Sequence, residues 1–124
     1  MKNQSCIFCK EENFLTENEL TYAIFDKFPV TKLHVLIIPK RHVETFFELT
    51  QDGKNSCFDL LDQVKEKLLE KDKTISGFNV GFNAGKDAGQ TVMHCHIHLI
   101  PRRNADVVEP QGGIRNLIPG KGKY

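Results

Sequence analysis

Residues 92–100 read VMHCHIHLI, and this stretch carries the strongest structural signal in the chain. Its apolar and β-branched residues predict a strand over residues 91–100, ended by Pro101. Side chains alternate between the two faces of a strand, so three histidines share one face: His94, His96 and His98. The residues between them point to the other face and into a core. Buried imidazoles need hydrogen-bond partners, so a row of three indicates a functional site.

Two chemistries suit a row of imidazoles. Neutral imidazole is a common zinc ligand, so the row can bind a metal. A ring nitrogen can also attack a carbonyl or phosphoryl centre and form a covalent intermediate, while flanking rings hold phosphate oxygens or transfer protons near neutral pH. The glycine-containing loop at residues 85–90 enters the same strand, and its backbone N–H groups can cradle an anion. A plain turn has the same composition.

The four cysteines fall into two classes. Cys6 and Cys9 form a C-x-x-C pair, which favours a metal site over two reduced thiols at a frayed terminus. A thioredoxin-like redox motif would need a strand before the pair, and only five residues precede Cys6. Cys57 and Cys95 lie within apolar segments, so we interpret them as small buried hydrophobes.

The rest of the chain predicts an α+β fold with a mostly antiparallel sheet, because strands precede and follow one long helix. The helix is expected over residues 50–71, with Thr50 as N-cap and an apolar stripe at spacings of three and four. A short helical turn is expected over residues 44–49. The other predicted strands cover residues 14–16, 20–25, 32–38 and 77–83.

The composition excludes several classes of function. The chain has 124 residues, 17 basic against 16 acidic, which fits one domain and argues against a dedicated nucleic-acid binder. No apolar run approaches the roughly 18 residues of a membrane span, so no membrane contact is expected. The first residues lack an apolar signal region, so the expected address is cytoplasmic.

The chain resembles the histidine triad (HIT) family, whose pattern is His-φ-His-φ-His-φ-φ with φ apolar. Residues 94–100 match it, and residues 89–92, 101–102 and 32–42 around His34 are also typical. The resemblance covers about residues 6–102 and makes residues 1–124 a single HIT domain with a C-terminal tail at 103–124. It implies a five-stranded antiparallel sheet with one long and one short helix. It also implies a homodimer whose two sheets join into one of ten strands.

The resemblance also implies a reaction, the transfer of a nucleotidyl group from a nucleoside phosphate derivative to water. By this resemblance His96 is the nucleophile, His98 contacts the phosphate and helps to protonate the leaving group, and His34 orients the site. The implied substrate-binding residues are Asp26 for the ribose hydroxyls, Asn83 near the scissile phosphate, and Gly89, Gln90, Thr91 and His98 on the phosphate side.

Some members of the family carry a zinc site with an N-terminal C-x-x-C pair. Four residues of this chain resemble the ligands of that site: Cys6, Cys9, His42 and His94. A Cys₂His₂ set closes a tetrahedron and leaves no position for water, so the implied zinc is structural. This assignment places His94 in the metal shell rather than among the catalytic acids.

The sequence leaves alternatives open for the substrate, the function and the role of the tail. The substrates implied are diadenosine polyphosphates or nucleoside phosphoramidates. A second hypothesis is a catalytic zinc shared by His94 and His96 that activates water. A third is a nucleotide-binding module with little turnover. Residues 112–115 of the tail either cover the site and select the leaving group or form a surface loop.

Overall fold

The computed structural model describes residues 5–123, and within them five strands form one antiparallel sheet. The strands are β1 Thr16–Glu17, β2 Thr21–Phe25, β3 Val35–Pro39, β4 Ile75–Gly81 and β5 Ile97–Arg103. Their order across the sheet is β1, β2, β3, β5, β4. A short helix α1, Ile7–Lys10, precedes the sheet, and a long helix α2, Gln51–Lys71, joins β3 to β4. The predicted α+β class with a five-stranded antiparallel sheet and one long helix is confirmed.

Helix α2 packs its apolar stripe against one face of the sheet. Thr50 caps it, because the Thr50 hydroxyl accepts the Gly53 N–H at 3.0 Å. The buried stripe is Cys57, Leu60, Val64 and Leu68, which meets sheet residues such as Val35, Ile37 and Leu99 in the main core. The predicted short turn before the helix is a 3₁₀ segment, Phe46–Glu48. Of the described helices, none has both the length and the apolar composition that a membrane crossing requires.

The limits predicted for the last strand are wrong at both ends. Strand β5 begins at Ile97, because the preceding residues follow an irregular path on which the Cys95 N–H donates to the Val43 carbonyl at 2.8 Å. The strand also continues past Pro101. The carbonyl of Pro101 accepts the Thr31 hydroxyl at 2.7 Å, so the missing N–H faces away from β4 and removes no bond from that ladder.

The other strands differ from prediction by a few residues. β3 begins at Val35 rather than at residue 32, because Leu33 has a left-handed φ of 70° that interrupts the extended backbone. β1 is Thr16–Glu17 instead of residues 14–16, and β4 is Ile75–Gly81 instead of residues 77–83.

The two faces of the sheet at β5 differ in role: one packs into the main core, and the other carries the candidate functional residues. Cys95, Ile97 and Leu99 lie in the core under α2, as the alternation predicts. On the opposite face a second apolar cluster contains Phe8, from α1, together with residues of β2 and β3. The histidines of residues 94–98 lie on this second face, so α1 and the candidate site share one side of the sheet.

Candidate functional site

A pocket of about 440 Å³ opens on the face of the sheet that carries α1. Its volume is in the range of small-molecule sites. The structure brings together in its lining seven residues that the sequence predicts for catalysis or substrate binding: Asp26, His34, Asn83, Gly89, Thr91, His96 and His98. Apolar side chains form much of the remaining wall, among them Ile7, Ile24 and Phe28.

The ring of His96 is oriented by the backbone. Its Nδ1 lies 2.8 Å from the carbonyl oxygen of His94. A carbonyl only accepts, so Nδ1 carries the proton and Nε2 keeps a free lone pair. The edge of Phe8 packs against the ring at a centroid distance of 5.1 Å and limits its rotation. His96 is therefore in the Nδ1–H tautomer, in which the Nε2 lone pair is free to act as a nucleophile.

A chain of hydrogen bonds sets the tautomers of His34 and His98. The Val30 N–H donates to His34 Nδ1 at 3.1 Å, so the proton of His34 is on Nε2. His34 Nε2 lies 2.9 Å from His98 Nδ1 and donates to it. The proton of His98 is then on Nε2. Asp26 closes the group, with Oδ2 at 3.5 Å from His34 Nε2.

Burial keeps both of these rings neutral. It lowers the pKa of His34, although the Asp26 carboxylate opposes the change. Burial, followed by repulsion from the charges that His96 and His34 would carry, lowers the pKa of His98 to about 4. At neutral pH His98 therefore donates a hydrogen bond from a neutral ring.

We expect the stability of the protein to fall as the pH drops from about 6.5 to about 4. The folded pKa of His98 is about 4 against an ordinary 6.5, so the unfolded chain takes up the proton first. This contribution is fully present above pH 6.5, is lost progressively as the pH falls, and is gone below about pH 4. Between pH 7 and pH 5 it amounts to about 2 kcal/mol. Urea unfolding of wild type and His98→Asn at both pH values measures it. If the free energy of unfolding fell equally in the two proteins between pH 7 and pH 5, His98 would not be the group responsible.

The loop that enters β5 is held by Gln90. Its side chain is 3% exposed, donates to the Glu44 and Val92 carbonyls at 2.7 and 3.1 Å, and accepts the Gly85 N–H at 2.9 Å. The amide is thus turned into the protein and is absent from the pocket lining, unlike its neighbours Gly89 and Thr91. Gly89 has a φ of 95°, which a side chain would strain. Gln90 shapes this loop through these bonds.

Four predicted metal ligands converge beside the pocket. The ligand atoms of Cys6, Cys9, His42 and His94 all lie within 4.8 Å of one another. The two imidazole Nδ1 atoms are 3.1 Å apart. The Cys6–His94, Cys9–His42 and Cys9–His94 sulfur–nitrogen distances run from 3.3 to 3.5 Å. A tetrahedron with Zn–S of about 2.3 Å and Zn–N of about 2.0 Å would put its ligands about 3.3–3.8 Å apart. The donor set and its spacing fit zinc.

The tautomer of His94 also suits a metal. Its Nε2 lies 2.8 Å from the Pro39 carbonyl and must carry the proton, which leaves Nδ1 free toward the cluster. The ring is 0% exposed. The same residue thus faces the metal ligands with its ring and orients His96 with its carbonyl.

Three contributors were missed at the sequence level. The Val30 N–H and the Pro39 carbonyl set tautomers, and backbone groups leave no residue-type signal. Phe8 was missed as well, and its ring packs against those of His94 and His96 at 5.9 and 5.1 Å. Phe8 lies between Cys6 and Cys9. The prediction that these cysteines and His94 bind one metal would therefore also have placed Phe8 near His94.

The C-terminal tail lies away from the pocket. None of the described residues beyond His98 contributes to the pocket lining. The tail instead turns along β4, where the backbone of Gly113 approaches the Asn79 side chain. Of the two alternatives for residues 112–115, the structure has them at the surface of the chain, where Gly113–Leu117 form a 3₁₀ turn, and they do not cover the pocket of the same chain.

Comparisons with known proteins identify the family of this chain. The HIT domain model matches residues 9–105. An adenosine 5'-monophosphoramidase of Schizosaccharomyces pombe is 38% identical over 108 residues, covering 82% of this chain and 77% of that protein. An asymmetrical bis(5'-nucleosyl)-tetraphosphatase of the same yeast is 38% identical over 91 residues, covering 73% and 50%. The crystal structure of a zinc-bound histidine triad protein from Mycobacterium smegmatis superposes with a TM-score of 0.76, at 30% identity over 86% and 81% of the two chains. With its match over most of the sequence and a shared fold, this chain belongs to the HIT domain family.

Proposed function

We propose that the protein is a nucleotide hydrolase that cleaves nucleoside phosphate derivatives through a covalent nucleotidyl intermediate on His96. The observation that carries the proposal is the tautomer of His96, whose Nδ1 is bonded to the His94 carbonyl while Nε2 keeps its lone pair in a pocket shared with His98. The yeast phosphoramidase and tetraphosphatase, which are relatives of this chain, support a reaction at a nucleoside phosphate.

In the first step, His96 Nε2 attacks the phosphorus that bears the nucleoside. A P–N bond forms as the bond to the leaving group breaks, and the leaving group departs with the electron pair. His98 donates a hydrogen bond from Nε2 to the leaving group, which takes its proton from the surrounding water, and the His34 Nε2–H, which lies 2.9 Å from His98 Nδ1, fixes this tautomer. The pocket wall at Asn83, Gly89 and Thr91 is the side on which the phosphate oxygens would be held.

In the second step, water attacks the same phosphorus. The P–N bond to His96 breaks, its electron pair returns to Nε2, and the proton lost by the attacking water is released to the surrounding water, which balances the proton taken up by the leaving group. The products are the nucleoside monophosphate and the regenerated enzyme. Asp26 would hold the ribose hydroxyls, since one of its oxygens accepts the Phe28 N–H at 2.9 Å and the carboxylate also lines the pocket.

The metal site has a structural role in this proposal. Cys6, Cys9, His42 and His94 would hold one zinc ion, which supplies a cross-link and no water-activating position because four protein ligands complete its tetrahedron. The set would fasten α1 to the segment that leads into β5 and restrain His94, whose carbonyl orients His96. His96 is outside this set, which disfavours a catalytic zinc shared with His94. The homodimer, the cytoplasmic address and the single-domain organisation stay predictions.

A substrate panel tests the proposed function. Diadenosine polyphosphates and adenosine 5'-phosphoramidate are incubated with the protein in water enriched in oxygen-18. We expect AMP among the products with the label in its phosphate, because attack at the adenosine-bearing phosphorus is followed by water at the same atom. The relative kcat/KM of the two classes identifies the preferred bond. Binding without turnover of either class would support the nucleotide-binding module instead.

A further inference from the structure

A charged pair lies at one end of the otherwise largely apolar pocket. Glu11 Oε1 is 4.0 Å from Lys27 Nζ, and both residues line the pocket. Glu11, Lys27 and Ile24 also line a neighbouring depression, to which none of the site histidines contributes. The pair therefore marks the end of the pocket that lies away from His96 and His98.

The carboxylate is held in place more firmly than the ammonium group. Glu11 is mostly covered, with 15% of its side chain exposed, whereas the Lys27 side chain is 78% exposed. Glu11 Oε2 accepts the Asn13 N–H at 3.2 Å, which restrains the side chain and leaves Oε1 directed at Lys27. An exposed pair at this distance adds little to stability. A restrained acceptor beside an exposed donor is available to bind the edge of a ligand.

The position of the pair along a bound nucleotide follows from the proposed function, on which this inference rests. The phosphate lies at His96 and the ribose at Asp26. The base then extends from the ribose away from the phosphate, and Lys27 is the residue next to Asp26 in the chain. The edge of the base therefore meets Lys27 and, across from it, Glu11.

The two purines differ in what they offer to such a pair. Guanine presents two adjacent donors, N1–H and the 2-amino group, beside the O6 acceptor. A carboxylate accepts both donors in a bidentate, charge-assisted arrangement, and an ammonium group donates to O6. Adenine offers one amino donor beside N1, whose lone pair repels a carboxylate oxygen. We propose that Glu11 and Lys27 read the base and make this site prefer guanine nucleotides over adenine nucleotides.

The test compares guanosine, inosine and adenosine 5'-phosphoramidates in wild type and Glu11→Gln. Wild type should show a kcat/KM about 10- to 100-fold higher for guanosine than for adenosine, the discrimination expected of one bidentate pair. Inosine lacks the 2-amino group and should fall between them. A glutamine amide both accepts and donates, which matches adenine, so Glu11→Gln should reverse the order of guanosine and adenosine.

Two further variants make the result specific. Glu12 is the exposed neighbour of Glu11. It lines the neighbouring depression but not the pocket, so Glu12→Gln should leave the preference unchanged. Lys27→Met should lower kcat/KM for guanosine and inosine by the same factor, because both carry O6, and leave their ratio unaltered. Unchanged zinc content and thermal midpoint show that each variant is folded.

The outcomes separate this inference from the proposed function. Turnover of all three substrates with equal kcat/KM overturns the base preference and leaves the hydrolase standing. A Glu11→Gln variant that keeps the wild-type preference also overturns it. Absence of turnover together with tighter binding of GMP than of AMP by calorimetry refutes the hydrolase and supports the base preference. Failure to bind either nucleotide overturns both.

Discussion

Replacement of His96 by alanine is expected to lower kcat by about four orders of magnitude or more, with little change in nucleotide affinity. The substitution removes the Nε2 atom that would bond to phosphorus, whereas Asp26 and the apolar wall that would hold the nucleoside are untouched. Steady-state hydrolysis of a phosphoramidate measures kcat, and calorimetry with AMP and GMP measures binding. Wild-type turnover by this variant would refute the nucleophile assignment.

A second substitution separates chemistry from packing at the same position. In His96→Asn the side-chain N–H₂ can still donate to the His94 carbonyl, as His96 Nδ1 does at 2.8 Å, but no nucleophilic nitrogen remains. We expect His96→Asn to be as inactive as His96→Ala while matching wild type in thermal midpoint. Mass spectrometry of acid-quenched wild type should find a nucleotidyl group on the peptide that contains His96, and neither variant should carry one.

Replacement of Cys6 and Cys9 together by serine is expected to abolish zinc binding and to lower the free energy of unfolding by several kcal/mol. Purified wild type should contain one zinc per chain. The loss of stability follows because the cluster joins residues at widely separated positions, and α1 has only four residues of its own to hold it in place. Metal analysis and urea unfolding measure the two effects. A wild-type preparation that binds no zinc would contradict the ligand assignment.

Cys57→Ala is the matched control for this experiment. Cys57 is 0% exposed in the main core and lies outside the cluster, so its loss reduces stability without changing the zinc content. The double-serine variant also tests the catalytic-zinc hypothesis. If hydrolysis persists in the metal-free protein at a temperature where it remains folded, zinc takes no part in the chemistry. Activity restored in proportion to added zinc, with the fold unchanged, would favour a catalytic metal.

Prediction from sequence worked where the signal is local and periodic. The alternation of residues 94–99 predicts the core positions Cys95, Ile97 and Leu99, although the regular strand starts only at Ile97. Residues 95 and 96 lead directly into β5, and Cys95 lies in the same core as Ile97 and Leu99. The stripe of α2 and its Thr50 cap are local in the same way, since each depends on residues within one or two turns.

The sequence predicts which residue types form the site. The geometry of the site depends on backbone N–H and carbonyl groups, which every residue type can supply and which therefore leave no signal in the sequence. Gln90 was expected at the substrate, yet the packing of its loop turns the amide toward three backbone groups and away from the pocket. The extension of β5 through Pro101 depends on where β3 begins, since Val35 pairs with Leu99 and leaves Pro101 outside the β3 ladder. Neither outcome can be read from neighbours in the chain, because each requires a contact with a distant segment.

The sequence by itself determined the α+β class, the helix α2, the face on which the histidines lie and the residues that can ligate a metal. The tertiary structure decided which nitrogen of each imidazole is free. The Pro39 carbonyl leaves His94 Nδ1 to the metal cluster, the His94 carbonyl leaves His96 Nε2 to the pocket, and the Val30 N–H starts the chain through His34 that ends on His98. A neutral histidine can carry its proton on either of two nearly equivalent nitrogens. The hydrogen-bond partner that the fold places beside the ring decides which nitrogen is protonated.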